Sequence, residues 1–523
     1  MFRTTLPTAA LALSIALLSA TPIAAETFRW AGTTDPQTMD PHAVNAAPVL
    51  SFLNNVYEGL VRRGPDMNEE PSLATAWEAL PDGAGWRFTL RQGVTFHDGA
   101  AFNADDVIFS YQRAASEASD VRSWFASVTD VVRVDDYTVD FLTSAPNPLF
   151  PGSIANFLII DADWAVANGA ELPARDAENF ATRNANGTGP FVLAARDPGI
   201  ETRLVPNAGW WDNAAHNVTE AVFTPIGNPA TGLAALLSGE IDLISPIPLQ
   251  DVAQVEGRAG FKVQAGLETR VIVLGFGHDH DTLKYSDETD ANPFRDPRVR
   301  LAVAQAIDVD TIDRVIMRGA AEPASQLLPA GLSGYSDQHA DRPAFDPDGA
   351  KTLLAEAGFA DGFSFGLMCP NDRYINDEAV CRAVASMLAR VGIDAKVNAM
   401  PVRGYWDELR AGNFDMYLLG WSPGTFDAEH PIRFLAHSRT ERLGTWNFGG
   451  YSSARIDALL APIQQEIDPN ARQAMLDEAA GILQDDVAYV PLYTEPLIWA
   501  MKDSVNVVQR PDNFFMLRWV SVN

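Results

Sequence analysis

His278-Asp279-His280-Asp281 places four possible metal ligands in a row. On a strand, alternate side chains point to opposite faces, so two of the four could share an ion. Asp287, Glu288 and Asp290 follow, and the run reads instead as an acidic surface loop. Gly187-Thr188-Gly189-Pro190 has two glycines but lacks the third of a dinucleotide fingerprint, so it reads as a tight turn. No His precedes Glu, no Gly-x-Ser-x-Gly elbow occurs, and none of the five Lys residues follows Gly or lies three residues after Ser. Helical zinc proteases, α/β-hydrolase elbows, phosphate loops and Ser-x-x-Lys nucleophiles are thereby excluded. No cofactor is expected. Cys369 and Cys381, the only cysteines, flank the loop from Pro370 to Val380. That spacing can close a disulfide in an oxidising compartment; two buried thiols are the alternative.

The elements that must position such residues mix strands and helices. Trp77-Glu78-Ala79 and Trp86 to Arg91 flank turn residues 81–85 and form a hairpin, with Trp86, Phe88 and Leu90 on one face. Val131 to Val134 and Tyr137 to Phe141 form a second. Asn103 caps a helix, with Asp106 three residues on. Helices are expected at 299–307, 378–391 and 471–483, the first preceded by Asp296-Pro297 and the second stopped by Gly392. Phe363 to Met368 reads as a strand ending at Cys369, and Cys381 falls in the first turn of the next helix. Two strands, 488–493 and 497–500, finish the chain. No repeat or flexible linker occurs, so the domains are packed together.

Composition bounds the partners. The 523 residues suggest about three domains, and 47% hydrophobic with 20% charged residues is ordinary for a globular protein. Charge is the outlier, with 38 basic against 68 acidic residues and a net charge of −30. Such a chain repels phosphate backbones and anionic lipid, which excludes nucleic acid as a partner. Residues 1–25 read as a signal peptide: Arg3, an apolar run from Ala9 to Ala20, then Ala24-Ala25 before Glu26. Export across the inner membrane to the periplasm, with cleavage near Ala25, is expected.

One ordered set of motifs is more specific. It runs Leu73-Ala74-Thr75-Ala76-Trp77-Glu78, Trp86-Arg87-Phe88-Thr89-Leu90-Arg91-Gln92-Gly93-Val94-Thr95-Phe96-His97-Asp98-Gly99, then Phe102-Asn103-Ala104-Asp105-Asp106-Val107. Asn55-Val56-Tyr57-Glu58-Gly59-Leu60, Gly187 to Phe191, Leu237 to Asp242, Asp296 to Arg300, Ala306-Ile307-Asp308 and Gly420-Trp421 match in order. The set resembles the extracytoplasmic solute-binding proteins, family 5, of dipeptide, oligopeptide and nickel ABC importers.

That resemblance implies an α/β, two-lobed periplasmic binding protein-like fold with an extra small domain and the ligand cleft between the lobes. Lobe I would comprise 26–57, 187–270 and 491–523, the extra α+β domain 58–186, and lobe II 271–490. It implies a monomer without catalysis that carries a short peptide or peptide-like, amino-acid-derived ligand to an ABC permease and ATPase complex at the inner membrane. A non-peptide solute (an opine conjugate, an oligosaccharide or a metal chelate), a secreted hydrolase and a chaperone are the rival readings. In the peptide-binding members an Arg pairs with the ligand carboxylate, and Arg373 falls in the matching segment; a planar guanidinium suits that partner. Trp421 would lie on the ligand, Arg403 would add positive charge, and the Asn45-Ala46-Ala47 backbone would line the lobe I side. Peptide binders usually carry an Asp three residues after that Trp for the ligand ammonium, where this chain has Gly424. Either Asp427 takes over the ammonium or the ligand has no free amine there.

Overall fold

In the computed structural model, residues 27–523 are described apart from 176, 214 and 287–290. The expected signal peptide lies outside the described residues, as do Asp287, Glu288 and Asp290. Two long antiparallel strands, Phe261–Phe276 and Tyr489–Lys502, carry the architecture. On one side the sheet continues from Tyr489–Lys502 through Leu243–Ser245, Thr27–Gly32, Glu220–Pro225, Glu201–Pro206 and Phe191–Asp197. On the other it continues from Phe261–Phe276 through Met416–Trp421, Phe363–Pro370 and Ile393–Met400. The first group falls in the expected lobe I and the second in the expected lobe II, as parts of one continuous sheet. One apolar core lies around Phe28, Trp30 and Trp499; a second, around Phe294, Phe365 and Leu418, continues across the sheet to Ala31, Leu236 and Ile244, and a third surrounds Tyr405, Tyr417 and Trp421.

The register between the two long strands shifts twice, between Leu267 and Val271 and again between Ile272 and Val273. Leu267 faces Pro496 and Val271 faces Thr494, so Glu268, Thr269 and Arg270 bulge against Glu495 alone. Extra residues on one strand locally disrupt the ladder and bend it, and this is the expected hinge. Pro496 has no N–H to give, and the bulge is where a sheet tolerates that. The sequence suggested two terminal strands broken at Thr494 to Pro496; the structure instead has one continuous strand, Tyr489–Lys502.

In lobe II, Phe363–Pro370 and Ile393–Met400 are parallel, joined by the helix Asp377–Ala389. Val380, Val384, Met387 and Leu388 are its buried face, and Gly392 beyond its end has φ of +91°. Because the helix starts at Asp377, Cys381 lies in its second turn, not its first. Cys369 and Cys381 are joined in a disulfide with Cα atoms 6.6 Å apart. Closing so short a loop restrains the unfolded chain, and reduction is expected to cost about 2–3 kcal/mol. Urea unfolding with and without a reductant measures this; coincident curves would contradict it.

The small domain is a four-stranded antiparallel sheet ordered Ala74–Ala79, Gly85–Leu90, Thr138–Thr143, Val128–Asp135. Both expected hairpins are present, and Phe88 and Leu90 are buried on one face. The helix Ala104–Ala114 opens with the capping box: the Asp105 N–H donates to Asn103 Oδ1 at 2.7 Å and the Asn103 N–H to Asp106 Oδ2 at 2.9 Å.

A buried polar cluster docks this helix on lobe I. The two Nη groups of Arg113 donate to the two oxygens of Asp40 at 2.6 and 2.5 Å, and its Nε donates to the Ala170 carbonyl at 3.0 Å. Arg113 Nη1 also lies 3.1 Å from His42 Nδ1, which must therefore accept, leaving Nε2–H for the Leu158 carbonyl at 3.0 Å. Burial, and then the Arg113 charge, push the His42 pKa down to about 3 from its ordinary 6.5. The folded state thus binds fewer protons than the unfolded chain below pH 6.5. His42 contributes stability that is present above that value and is lost as pH falls toward 3. The His42 ring resonances are expected to stay those of a neutral imidazole from pH 7.5 to 4.5 by NMR; a midpoint near 6.5 would refute this.

Gly187 and Gly189 serve close approach, since a Cβ would fall 2.2 and 2.7 Å from the Val56 carbonyl oxygen. Thr188 between them donates to Glu58 Oε2 at 2.9 Å, and Trp211 Nε1 donates to the same oxygen at 2.9 Å. This turn therefore pins the start of the small domain to lobe I.

Candidate ligand-binding site

The hinge bulge gathers charge. Arg270 Nη1 donates to Glu268 Oε2 and to Glu495 Oε2, each at 3.0 Å. Glu495 Oε1 accepts the Ile375 N–H at 2.7 Å, which ties the hinge to the loop carrying Arg373. Burial pushes the Glu268 carboxyl up against the opposing pull of Arg270. The hydroxyls of Thr269 and Ser422 lie 2.6 Å apart, joining the bulge to the segment after Trp421. Beside the bulge is a cavity of about 570 Å3 lined by Gly266 to Thr269, Ser325, Tyr335, Thr494 and Gln509, with Asp66 and Asn68 from the small domain. Arg373, Arg403, Trp421, Asp427 and the Asn45-Ala46-Ala47 segment are not among the residues that line it.

The small domain also reaches lobe II directly. Met67 packs with Leu328 and Leu332, and the Arg63 guanidinium lies 4.9 Å from the Phe426 ring centre. The loop holding Gly424, Thr425 and Phe426 thus faces the small domain across the gap.

On lobe I, a recess of about 140 Å3 is lined by Trp30, Thr33, Ala47, Ser51, Ser245 and Asn513 among others. Ala47 is exposed there at the start of the helix Ala47–Leu53. Ala46 caps that helix through its carbonyl, which accepts from the N–H groups of Val49 and Leu50 at 3.0 Å. The exposed Asn45 donates its N–H to Asp120 Oδ2 at 2.8 Å. Ser245 and Asn513 meet at 3.2 Å, and Asn513 Oδ1 also accepts Trp499 Nε1–H at 2.9 Å.

On lobe II, Arg373 and Arg403 are both exposed. Asp372, the neighbour of Arg373, accepts the Val402 N–H at 2.7 Å at the start of the helix Val402–Arg410, which carries Arg403. Arg373 sits 5.3 Å from the Tyr374 ring centre, and its own N–H is held by Asp377 at 3.0 Å. The disulfide fixes the far end of this loop. Trp421 ends the strand Met416–Trp421 and is 7% exposed, packed against His430, Phe434 and Trp446 at centroid distances of 5.3 to 5.8 Å.

Asp427 is placed differently from the role considered for it. It is 1% exposed. Arg472 grips its two oxygens at 2.9 and 2.7 Å, Ser333 Oγ donates at 2.7 Å and the Glu429 N–H at 2.8 Å. Every strong acceptor position faces into lobe II, so no carboxylate oxygen is left to meet a ligand ammonium. Arg472 lies in the helix Pro469–Asp485, 45 residues away, and nothing in sequence spacing links the two.

The residues missed by sequence reasoning are the hinge group Glu268, Arg270 and Glu495. The hinge group carried no motif; it is assembled only when the bulge forms. The His278 to Asp281 run does not make a metal centre: among the described residues no group of three or more His, Cys, Asp or Glu is placed to hold an ion. His278 lies 3.0 Å from the Ala488 carbonyl and Asp279 pairs with Arg439, so this run is tied into lobe II.

Residues 68–441 match the family described as bacterial extracellular solute-binding proteins, family 5 Middle. The glutathione-binding protein GsiB of Salmonella typhi is 26% identical over 502 residues, 94% of this chain and 93% of that protein. The periplasmic murein peptide-binding protein MppA of Escherichia coli K12 is 25% identical over 488 residues, 88% of this chain and 86% of that protein. HbpA2 from Haemophilus parasuis shares the fold with a TM-score of 0.81 at 24% identity, over 95% of this chain and 100% of that one. The architecture and the matched span agree: the chain belongs to the family 5 bacterial extracellular solute-binding proteins.

Proposed function

We propose that this protein captures short peptides or peptide-like, amino-acid-derived solutes and hands them to an ABC importer. The observation that carries this reading is the cavity of about 570 Å3 at the hinge bulge, bordered by both lobes and the small domain. That volume suits a ligand of a few residues, and a hinge of this kind lets two lobes close around it. Family membership supports it, as do the relatives named for glutathione and a murein peptide.

In this reading Arg373 pairs with the ligand carboxylate and Arg403 adds positive charge beside it. Trp421 lies against the ligand, and the Asn45-Ala46-Ala47 segment lines the lobe I side. Asp427 holds lobe II together and does not touch the ligand. Lobe I comprises 26–57, 187–270 and 491–523, the small domain 58–186 and lobe II 271–490. Residues 1–25 direct export and are removed, and the periplasmic monomer docks on a permease driven by an ATPase, with no reaction of its own.

A panel of di- to tetrapeptides in a thermal-unfolding assay tests this. A peptide at a hundredfold excess over its Kd is expected to add about 2.7 kcal/mol of stability. Arg373→Ala is expected to weaken that peptide at least about tenfold, the range for losing a charged hydrogen-bond partner. A panel that leaves the melting curve unmoved would contradict the reading.

A further inference from the structure

The cavity beside the bulge is one-sided in charge. Asp66, Glu268 and Glu322 line it, and among the described residues no Lys, Arg or His does. The three carboxylates come from three segments. Asp66 lies in the turn between the strands Val61–Arg63 and Glu69–Pro71, Glu268 in the bulge, and Glu322 in the short strand Glu322–Pro323 paired with Tyr489–Lys502. The Asp66 carboxylate accepts the Asn68 N–H at 3.2 Å and Asn68 Nδ2–H at 2.7 Å, neither of them a cation. Arg270 Nη1 is divided between Glu268 and Glu495, so two carboxylates share one guanidinium and the bulge keeps an excess of negative charge. Burial, with Glu495 adding to it, pushes the Glu268 carboxyl up against the pull of Arg270 and the weaker pull of Arg373.

The neutral lining points the same way. Gln509 Nε2 donates to the Leu497 and Gln264 carbonyls at 3.1 and 3.5 Å, and Asn68 Nδ2 is given to Asp66, which leaves the two amide oxygens as acceptors. Leu267, Leu328 and Leu332 add apolar wall, and Tyr335 adds a ring. A Lys or Arg side chain complements such a lining. Its methylene stem lies on apolar surface, and its head carries several donors, a positive charge and no acceptor. A ligand carboxylate in the same place would face three carboxylates and no lining cation, and like charges set against each other exclude a partner.

We propose that this cavity receives a cationic side chain of the ligand, so that the protein selects peptides carrying Lys or Arg over those with a neutral or acidic residue in its place. This rests on the peptide reading above and adds to it the charge of the side chain that the cavity takes. Arg373, which does not line the cavity, keeps its place at the ligand carboxylate. Glu268 supplies negative charge from the bulge, Glu322 from lobe II and Asp66 from the small domain, so the charge around the cavity is completed by all three parts of the molecule.

The test is equilibrium dialysis of the purified protein against an equimolar mixture of tripeptide sets, with the bound fraction read by mass spectrometry. The sets differ in one residue only, Lys, Arg, norleucine or Glu, placed in turn at each position with neutral residues elsewhere. A cationic set is expected to be enriched at least about tenfold over norleucine, which keeps the stem without the charge, and further over Glu. Which cation leads separates an ammonium from a guanidinium site. Glu322→Gln, an exposed position outside the bulge, is expected to weaken the cationic sets about threefold, the range for an exposed ion pair, and to leave norleucine unmoved. Glu268→Gln, which keeps an oxygen for Arg270, is expected to weaken them at least about tenfold. Equal enrichment of norleucine, or a lead for Glu, would overturn this inference and leave the peptide reading standing. Binding of no set would overturn both. A cationic preference that survives unchanged in both variants would put the cation elsewhere and overturn the inference.

Discussion

Asp427→Ala is expected to lower stability by about 3–5 kcal/mol, because it leaves the Arg472 guanidinium buried without its charge partner. The pair is doubly hydrogen-bonded at 2.7 and 2.9 Å, with side-chain exposures of 1% and 9%. Arg472 also donates from Nε to the Ile463 carbonyl at 3.0 Å, so the ion pair clamps the helix Pro469–Asp485 to the segment after Trp421. Replacing both partners with apolar residues of similar volume, Asp427→Leu with Arg472→Met, is expected to recover most of the loss. Urea denaturation of the single and double variants measures this. The same experiment separates scaffold from ligand contact. If the folded Asp427→Asn variant binds peptide within about threefold of the unaltered chain, the carboxylate serves the fold, since a lost charged ligand contact costs more than that. A stable Asp427→Ala protein with abolished binding would reverse the assignment.

Arg113→Ala has an expected cost of the same size, about 3–5 kcal/mol, at the joint between the small domain and lobe I. Asp40, Arg113 and His42 are 0%, 1% and 0% exposed, and the guanidinium satisfies both Asp40 oxygens, the Ala170 carbonyl and His42 Nδ1 together. Its removal strands a carboxylate in the interior and orphans two further acceptors. Arg113→Lys keeps the charge but cannot fork across two oxygens, so a smaller loss that still exceeds about 1 kcal/mol is expected. Denaturation followed by tryptophan fluorescence reports it. Retention of full stability in Arg113→Ala would show that the joint is held by its apolar contacts alone. The consequence for function is positional: the small domain supplies Asp66 and Asn68 to the cavity wall and Arg63 to Phe426, and it can do so only if docked.

What the sequence made legible was local. The hairpin around Pro81 to Gly85, the Asn103 capping box and the Asp296 cap each rest on residues within a few positions of one another. The Cys369 and Cys381 pairing was legible because the strand and helix that carry them are adjacent in the chain. Arg373, Arg403 and Trp421 were reached through resemblance; the Asp372 carboxylate ties the segment of Arg373 to the start of the helix that carries Arg403. What stayed hidden was long-range. Arg472 reaches Asp427 across 45 residues and Glu495 reaches Arg270 across 225. The hinge itself was masked because Thr494-Glu495-Pro496 looks like a strand break. Only the partner strand's bulge shows that the chain runs straight through it. Gly424 was visible as a departure, but its closeness to the His430 ring, and the packing of that ring on Trp421, appear only in the folded chain.

The hinge group suggests how capture and closure are coupled. Glu268 lines the cavity, Arg270 bridges it to Glu495, and Glu495 holds the Ile375 N–H beside Arg373. In the proposed reading, a ligand held by Arg373 bears on a loop that is hydrogen-bonded to the bulge through Ile375 and Glu495.

The most direct measurement is to purify the protein from the cells that make it without added ligand, record its mass under native conditions, and identify what is released on unfolding. A set of peptide masses bound one per chain is the expected result. A single non-peptide mass, such as a sugar or a metal chelate, would contradict the proposed ligand class.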